Sequence, residues 1–390
     1  MTDWRRVPLG SMTEQARNMI RVAPGNTYRL LGVRWYGEGP FHRETVSSES
    51  SKATRLFAVA PRQFIYNRLF AGRGSFGVVP TDLVGCFVSN EFPLFTCDES
   101  LLLPEYLSLW FQQPQVWTDI EQVSTGTTQS RNRWSEDKFR SYQVPLPPLP
   151  EQRRVVDLVG ALDAQIEALD SEMQAAWRVH AGMADELLGS LDERPLGQMC
   201  SIEAKLVDPR QAQYAHLLHV GIEHIERDTG RLRTLATAEQ ERLVSGKHLF
   251  EPGEVIYSKI RPNLRKVAVP NFVGLCSADA YPLRPVPGLP ATLLREMLLL
   301  PSVVDRVVAK SGRTKMPKVN RTELFSIPVP AGDQADWDRC SGPLEAVRGL
   351  AEALNDQALC ARALRGALLG LLLSGDIEIP ESYDLLLEAV

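Results

Sequence analysis

Cysteine is sparse in this chain of 390 residues: six, at positions 86, 97, 200, 276, 340 and 360, widely scattered and never in a C-x-x-C pair. That argues against a disulfide framework or a cysteine-rich zinc module, and it suits a reducing cytosol. No run of 18 apolar residues occurs, so no membrane span is expected. The opening MTDWRRVPLGSMTEQ lacks the apolar centre of a signal peptide. Catalytic patterns are missing too. No Ser-His-Asp or Cys-His arrangement stands out, no carboxylate pair is singled out, and no Asp/Asn-Pro-Pro-Tyr/Phe tetrapeptide of an amino-methyltransferase occurs. His216, His219 and His224 lie close together, but spacings of three and five residues in a β-like context do not bring three ligands to one point, so no metal is expected there. What remains is an ordinary globular composition, 44% hydrophobic and 23% charged, long enough for two or three domains.

Charge is not evenly spread. Residues 1–150 hold 16 Lys and Arg against 14 Asp and Glu, and residues 191–330 hold 20 against 15. Residues 151–190 hold 3 against 8, and 331–390 hold 4 against 11. Two positive segments thus alternate with two negative ones inside a net charge of −5. A chain that meets a phosphate backbone with part of its surface, and not with the rest, has this pattern.

The alternation coincides with an internal repeat. Leu31-Gly32-Val33 aligns with Val220-Gly221-Ile222, and Phe64-Ile65-Tyr66-Asn67-Arg68 with Val255-Ile256-Tyr257-Ser258-Lys259. Val84-Gly85 aligns with Val273-Gly274, Phe92-Pro93-Leu94 with Tyr281-Pro282-Leu283, Gly126 with Gly312, and Val144-Pro145-Leu146-Pro147 with Ile327-Pro328-Val329-Pro330. Order is kept and the offset drifts slowly, from 189–191 residues to 183, as a duplication requires. Each copy reads as mixed α and β. Short β-rich runs (Gln63–Leu69, Gly253–Ile260) are bounded by Gly and Pro, and helical stretches follow at Pro104–Trp117 and Ala291–Val308.

Each copy ends in a long amphipathic helix. After Pro150, apolar residues at 155, 158/159, 162, 166, 169, 173 and 176/177 alternate three- and four-residue steps, the seam of a helix packed along another. About 38 residues at roughly 1.5 Å each give a rod of about 55–60 Å. The second seam passes through Trp337, Cys340, Leu344, Val347, Leu350, Leu354 and Ala358, with a kink or restart expected at Gly342-Pro343. Two such seams bury each other most simply as an antiparallel pair. The prolines of Leu146-Pro147-Pro148-Leu149-Pro150 read as a stiff helix entry in preference to a polyproline ligand.

Gly72–Val79 fits G-x-G-x-x-G-x-V, but Pro80 blocks the helix a dinucleotide site needs, and the lysine, H-R-D and D-F-G motifs of a kinase are absent. A glycine-rich loop between strands is the better reading, with Arg73 free to reach a phosphate or a base. Basic loops are better evidence. Thr127, Gln129, Arg131 and Arg133 sit in a stretch without acids, as do Arg313, Lys315 and Lys318 at the equivalent place in the second copy. Lys259, Arg261, Asn263 and Arg265 form a third such cluster, with Arg68 aligned to Lys259. Arg and Lys neutralise phosphates and read guanine, and Asn and Gln pair with adenine.

On these residues the chain resembles the specificity subunit of type I restriction–modification systems. The PLPPLPEQRR entry with its helix carries the likeness, with Gly221–Gly230, Val255–Lys266 and Ser124–Gln129. The second helix entry, AGDQADW, departs from the pattern. The resemblance implies an α+β fold: two similar recognition domains (1–150 and 191–330), spacer helices (151–190 and 331–375) forming an antiparallel coiled coil, and a tail (376–390). It implies a non-catalytic DNA reader of a split site. Glu151, Gln152, Arg153, Leu162, Ile166, Leu169, Leu350 and Leu354 on the helices would face partners or each other. Two adenine-methyltransferase subunits would carry S-adenosylmethionine, a restriction subunit where present would carry ATP and magnesium, and this chain would hold no cofactor or metal. Two other classes fit the same residues: an orphan DNA-binding regulator of this fold, and a coiled-coil protein scaffold.

Overall fold

The computed structural model describes residues 4–50, 53–124, 133–312 and 317–384. It divides into two compact units, one of Met1–Ala168 with Ala358–Val390 and one of Leu169–Gln357.

In the first unit the strands are β1 (Arg6–Pro8), β2 (Thr13–Ala16), β3 (Met19–Arg21), β4 (Thr27–Val33), β5 (Pro40–Ser47), β6 (Arg55–Ala58), β7 (Phe64–Tyr66), β8 (Phe76–Val78), β9 (Phe87–Val88), β10 (Leu94–Cys97) and β11 (Gln143–Pro145). They form a β1-β11 pair, a sheet ordered β2-β10-β7-β8 and a sheet ordered β3-β6-β9-β4-β5. Helices α1 (Pro104–Trp110), α2 (Pro114–Val123) and α3 (Glu136–Ser141) follow, and then α4 (Leu149–Gly189).

The second unit repeats this plan. Its strands are β12 (Asp192–Pro195), β13 (Cys200–Ser201), β14 (Leu206–Val207), β15 (Leu218–Val220), β16 (Lys247–Phe250), β17 (Val255–Ser258), β18 (Val267–Ala268), β19 (Gly274–Cys276), β20 (Ala280–Pro285) and β21 (Pro328–Ala331). They pair as β12-β21, β13-β20-β17-β18 and β14-β16-β19-β15. Among the strands of the described residues, only β5 lacks a counterpart. Even the single parallel pairing recurs, β4 beside β9 and β15 beside β19. Helices α5 (Ala212–Ala215), α6 (Ala291–Leu299), α7 (Pro301–Lys310), α8 (Arg321–Phe325) and α9 (Gln334–Ser374) complete it.

Strands β7 and β17 are apolar on both faces because both faces are covered: every residue of each is buried. The cores around them differ in chemistry. The first is aromatic, with Phe64, Tyr66, Phe76, Phe95, Phe111, Trp134 and Phe139 in mutual contact and ring centroids as close as 4.1 Å. The second is aliphatic, built on Leu283, Leu293, Leu294, Met297, Val303, Val307 and Val319. The stretches read as single helices, Pro104–Trp117 and Ala291–Val308, are each two. Pro114 and Pro301 both open a new helix, where their missing amide costs nothing.

The long helices are 41 residues each, or about 60 Å at roughly 1.5 Å per residue. In the first unit the start of α4 packs on the end of α9: Val155 and Val159 share a core with Leu369, Leu372 and Leu373, and Arg365 pairs with Asp163 at 2.6 Å. In the second, the end of α4 packs on the start of α9: Ala184 and Leu188 meet Trp337, Cys340 and Leu344. Start against end in both units makes the pair antiparallel. Of the kink or restart expected at Gly342-Pro343, the restart does not occur: α9 runs through Pro343 as one helix. Gly342 and Pro343 face solvent, so the carbonyl freed four residues earlier is open to water, while Cys340 and Leu344 on either side are buried. By length and apolarity α9 is also the one helix among the described residues able to cross a membrane. Its apolar end is instead occupied: Leu369, Leu372 and Leu373 are buried in the first core.

Candidate nucleic-acid interface

The strand exits after β7 and β17 are built alike. The Arg68 amide donates to the Glu91 carbonyl at 3.0 Å, and the Arg68 carbonyl accepts from the Trp134 amide at 3.0 Å. In the second unit the Lys259 amide donates to the Asp279 carbonyl at 3.0 Å, and its carbonyl accepts from the Val319 amide at 3.0 Å. These backbone bonds set Arg68, Glu91 and Arg133 in the same positions as Lys259, Asp279 and Lys318.

The side chains follow. Arg133 donates to Glu91 at 2.8 Å, and Lys318 to Asp279 at 3.2 Å. Lys259 lies 3.6 Å from Asp279, donates to the Ala278 carbonyl at 2.6 Å and stands 5.5 Å from the Tyr281 ring. The loops that carry no acid in sequence therefore meet acids in space, delivered by neighbouring segments. Arg68 differs from its counterpart. It turns to Glu136 in a largely buried ion pair, and Glu136 has no acidic equivalent in the second unit, where Arg321 follows the helix cap.

Arg261 and Arg265 flank a single 3-10 turn with φ of +48° and +49°. Left-handed backbone is rare for such side chains and persists only where surroundings impose it. Here the Arg261 amide is tied to the Pro317 carbonyl at 2.8 Å, and the Arg265 guanidinium donates to the Leu299 carbonyl at 2.6 Å. Arg265 also lies 3.4 Å from Asp228. Arg261 and Asn263 are left exposed, and no carboxylate pairs with Arg261 among the described residues.

In the first unit Arg73 closes the equivalent 3-10 turn and is likewise exposed, with Gly74 in the left-handed position at φ +74°. The glycines of the G-x-G-x-x-G string serve packing. A Cβ at Gly74 would enter the Trp117 ring, and one at Gly77 would stand 2.6 Å from Pro40 Cδ. Strand β8 follows where a nucleotide site would need a helix.

Sequence reading missed a second basic group. Arg21 on β3 stands directly opposite Arg55 on β6, both exposed and without a carboxylate partner among the described residues. Like charges opposed across strands repel, and an anion between them removes the penalty. Arg17 and Arg55 line a hollow of about 520 Å³ with Arg68, Asn90, Phe57 and Phe92. Arg17 and Arg21 lie 38 and 34 residues from Arg55 in sequence, and only the strand register joins Arg21 to Arg55. Thr127, Gln129 and Arg131, and in the second unit Arg313 and Lys315, lie outside the described residues.

On the helices the expected partner-facing residues divide. Gln152 is fully buried: its amide nitrogen donates to the Leu101 and Pro147 carbonyls at 2.8 and 2.9 Å, and its oxygen accepts from the Leu103 amide at 2.9 Å. It pins the helix to its domain and offers nothing to a partner. Glu151 pairs with Arg154 at 3.2 Å, while Arg153 is exposed. Ile166 and Leu169 are buried in the seam, and Leu162 and Leu354 are half-buried. Leu350 points outward and Ala351 takes the seam position beside it, which shifts the expected register by one residue.

Residues 25–174 match the family model of the type I restriction modification DNA specificity domain. The chain is 31% identical over 371 residues to the EcoDI specificity subunit of Escherichia coli, covering 84% of this chain and 77% of that one. Among solved structures, the type I restriction–modification S subunit from M. genitalium superimposes with a TM-score of 0.60 at 12% identity, covering 95% of this chain and 96% of that one. A chain from a structural study of assembly and conformational transition in the type I R-M system gives 0.55 at 17%, covering 96% and 98%. A duplicated α+β reader with paired spacer helices is the class that the fold defines. The chain belongs to the specificity subunits of type I restriction–modification systems. Such subunits recognise DNA sequence and are not themselves catalytic, the methylation and restriction activities residing on other subunits with which they act.

Proposed function

We propose that each unit reads one half of a split DNA site. Residues 1–150 and 191–330 serve as the recognition domains, 151–190 and 331–375 as the spacer, and 376–390 as a tail. The observation behind this reading is the shared acid–cation pair after β7 and β17, Glu91–Arg133 and Asp279–Lys318 on matching backbone bonds, which gives each unit an equivalent basic edge.

In the first unit Arg133 meets DNA, joined by Arg73, Arg17, Arg21 and Arg55. Thr127, Gln129 and Arg131, close to Arg133 in sequence, act with it. In the second, Arg261 and Asn263 read base edges, while Lys259, Lys318, Arg313 and Lys315 take phosphates. Arg68 and Arg265, held by Glu136 and the Leu299 carbonyl, position these loops. Two methyltransferase subunits bind the helices and carry S-adenosylmethionine, and restriction subunits, where present, bring ATP and magnesium. The setting is the bacterial or archaeal cytosol, with no membrane partner.

Native mass spectrometry of the chain expressed with its methyltransferase tests the assembly, with two methyltransferase chains per copy expected. DNA binding of that complex should weaken steeply with salt. A complex that forms with no methyltransferase, or that binds DNA independently of salt, overturns the reading in favour of an orphan regulator or a protein scaffold respectively.

A further inference from the structure

The second unit contains a cluster for which DNA reading has no use. His219 lies on β15, His224 in the 3-10 turn just after it, and Glu241 arrives 17 residues later on a turn tied back to β15. One nitrogen of each imidazole and one Glu241 oxygen lie within 4.8 Å of one another. His219 Nδ1 is 2.8 Å from Glu241 Oε2, and His224 Nε2 is 3.8 Å from Glu241 Oε1. We propose that His219, His224 and Glu241 form a mononuclear site for a divalent transition metal of the zinc class.

Three features support it. The donor set, two imidazoles and one carboxylate, is that of zinc and its neighbours and leaves a fourth position for water. His224 is oriented as a ligand: its Nδ1 stands 3.1 Å from the His219 carbonyl and 3.1 Å from the Gly221 amide. These two contacts hold the ring by its Nδ1 side and turn Nε2 towards Glu241. The cluster also holds an unsatisfied buried atom. His219 is only 4% exposed, and Glu241 Oε1 has no hydrogen-bond partner. Groups so buried are normally paired, and a cation occupies the carboxylate oxygen as a proton donor otherwise would.

The site is not inherited from the duplication. At an offset of 189, His219 and His224 correspond to Leu30 and Trp35. The metal would therefore be a device of the second recognition domain alone. It would staple the Glu241 turn to β15 and to the run that begins at Gly221. His216, three residues before His219, is outside the cluster, and the third proposed ligand is a carboxylate distant in sequence.

The test uses the full chain, expressed without a polyhistidine tag, stripped with chelator and titrated with Zn²⁺ and Co²⁺. One metal per chain is expected, with a cobalt visible spectrum that zinc abolishes and a melting temperature that zinc raises. His224→Gln and Glu241→Gln should each weaken binding by more than roughly tenfold, the loss already seen when a partner one shell further out is removed. His216→Gln should leave binding unchanged. The cobalt spectrum of the unaltered chain covers the case in which a variant fails to fold. The proposal is overturned if the unaltered chain binds no metal, if the two ligand variants bind as it does, or if His216→Gln weakens binding equally.

Discussion

At the scale of residues, the cations expected to grip DNA fall into two kinds. Arg133 and Lys318 sit in exposed pairs, and such pairs contribute only about 0–1 kcal/mol. On the proposed reading, exchanging Glu91 or Asp279 for a phosphate is therefore cheap. Arg68 is mostly buried against Glu136, where removal of one partner leaves a charge uncompensated. Arg68→Ala should lower stability by about 3–5 kcal/mol in urea unfolding, whereas Arg133→Ala should leave stability within about 0.5 kcal/mol. Equal stability of the two variants would contradict this division. A second buried network joins α4, α6 and α9: Glu296 accepts from Arg348 at 2.9 Å and from Arg295 at 3.0 Å, and His180 lies 3.5 Å away. Burial holds the His180 pKa below 6.5 despite the pull of Glu296, with Arg348 and Arg295 pushing the same way as burial. The folded state then binds fewer protons than the unfolded one, so stability falls as pH drops below about 6.5. His180→Gln should flatten the decline of the urea midpoint between about pH 7 and pH 5. A slope equal to that of the unaltered chain would show that the group is not desolvated.

At the scale of elements, sequence reading was strongest where periodicity is long. The seam from Val155 onward fixes α4, which starts at Leu149 and ends at Gly189, and the offset of Phe64–Arg68 to Val255–Lys259 locates β7 and β17. It was weakest where position depends on contacts between distant segments. Gln152 looks like a surface residue of a charged entry motif, yet it is a pin with three hydrogen bonds into Leu101, Leu103 and Pro147. Its counterpart in the second half is Ala335, which cannot make them. Helix α9 is instead capped by the reciprocal bonds of Asp333 and Asp336, at 3.0 and 3.4 Å. That is the physical content of the degraded echo: the same helix entry, fastened differently. Gln152→Ala would remove the partner of the half-buried Leu103 amide and of the Leu101 and Pro147 carbonyls. A loss of about 1–3 kcal/mol is expected, measured by urea unfolding, and a neutral result would mean that water or a shifted side chain replaces the pin. Arg21 and Arg55 were illegible for a related reason. Only the β3–β6 register brings them together.

At the scale of the whole molecule, duplication accounts for most of what is seen: one plan of three strand pairings, executed with an aromatic core in one unit and an aliphatic core in the other. Equivalent loops with unlike side chains are what two readers of different half-sites need, because phosphate contacts can be shared while base contacts cannot. The helix segments carry net negative charge, which fits the proposed role of spacer in preference to one of gripping DNA. Adding four residues to both, about 5.4 Å of helix, should lengthen the preferred gap by roughly one to two base pairs. An unchanged gap with intact folding would sink the spacer role. The central claim, one unit for each half-site, is tested most directly by mapping methylated adenines in cells that carry the methyltransferase with the unaltered chain, Arg133→Ala or Arg261→Ala. The account predicts that Arg133→Ala relaxes or weakens one half of the bipartite motif and Arg261→Ala the other, each leaving its opposite half intact. Both substitutions altering the same half, or neither altering the motif, would contradict it.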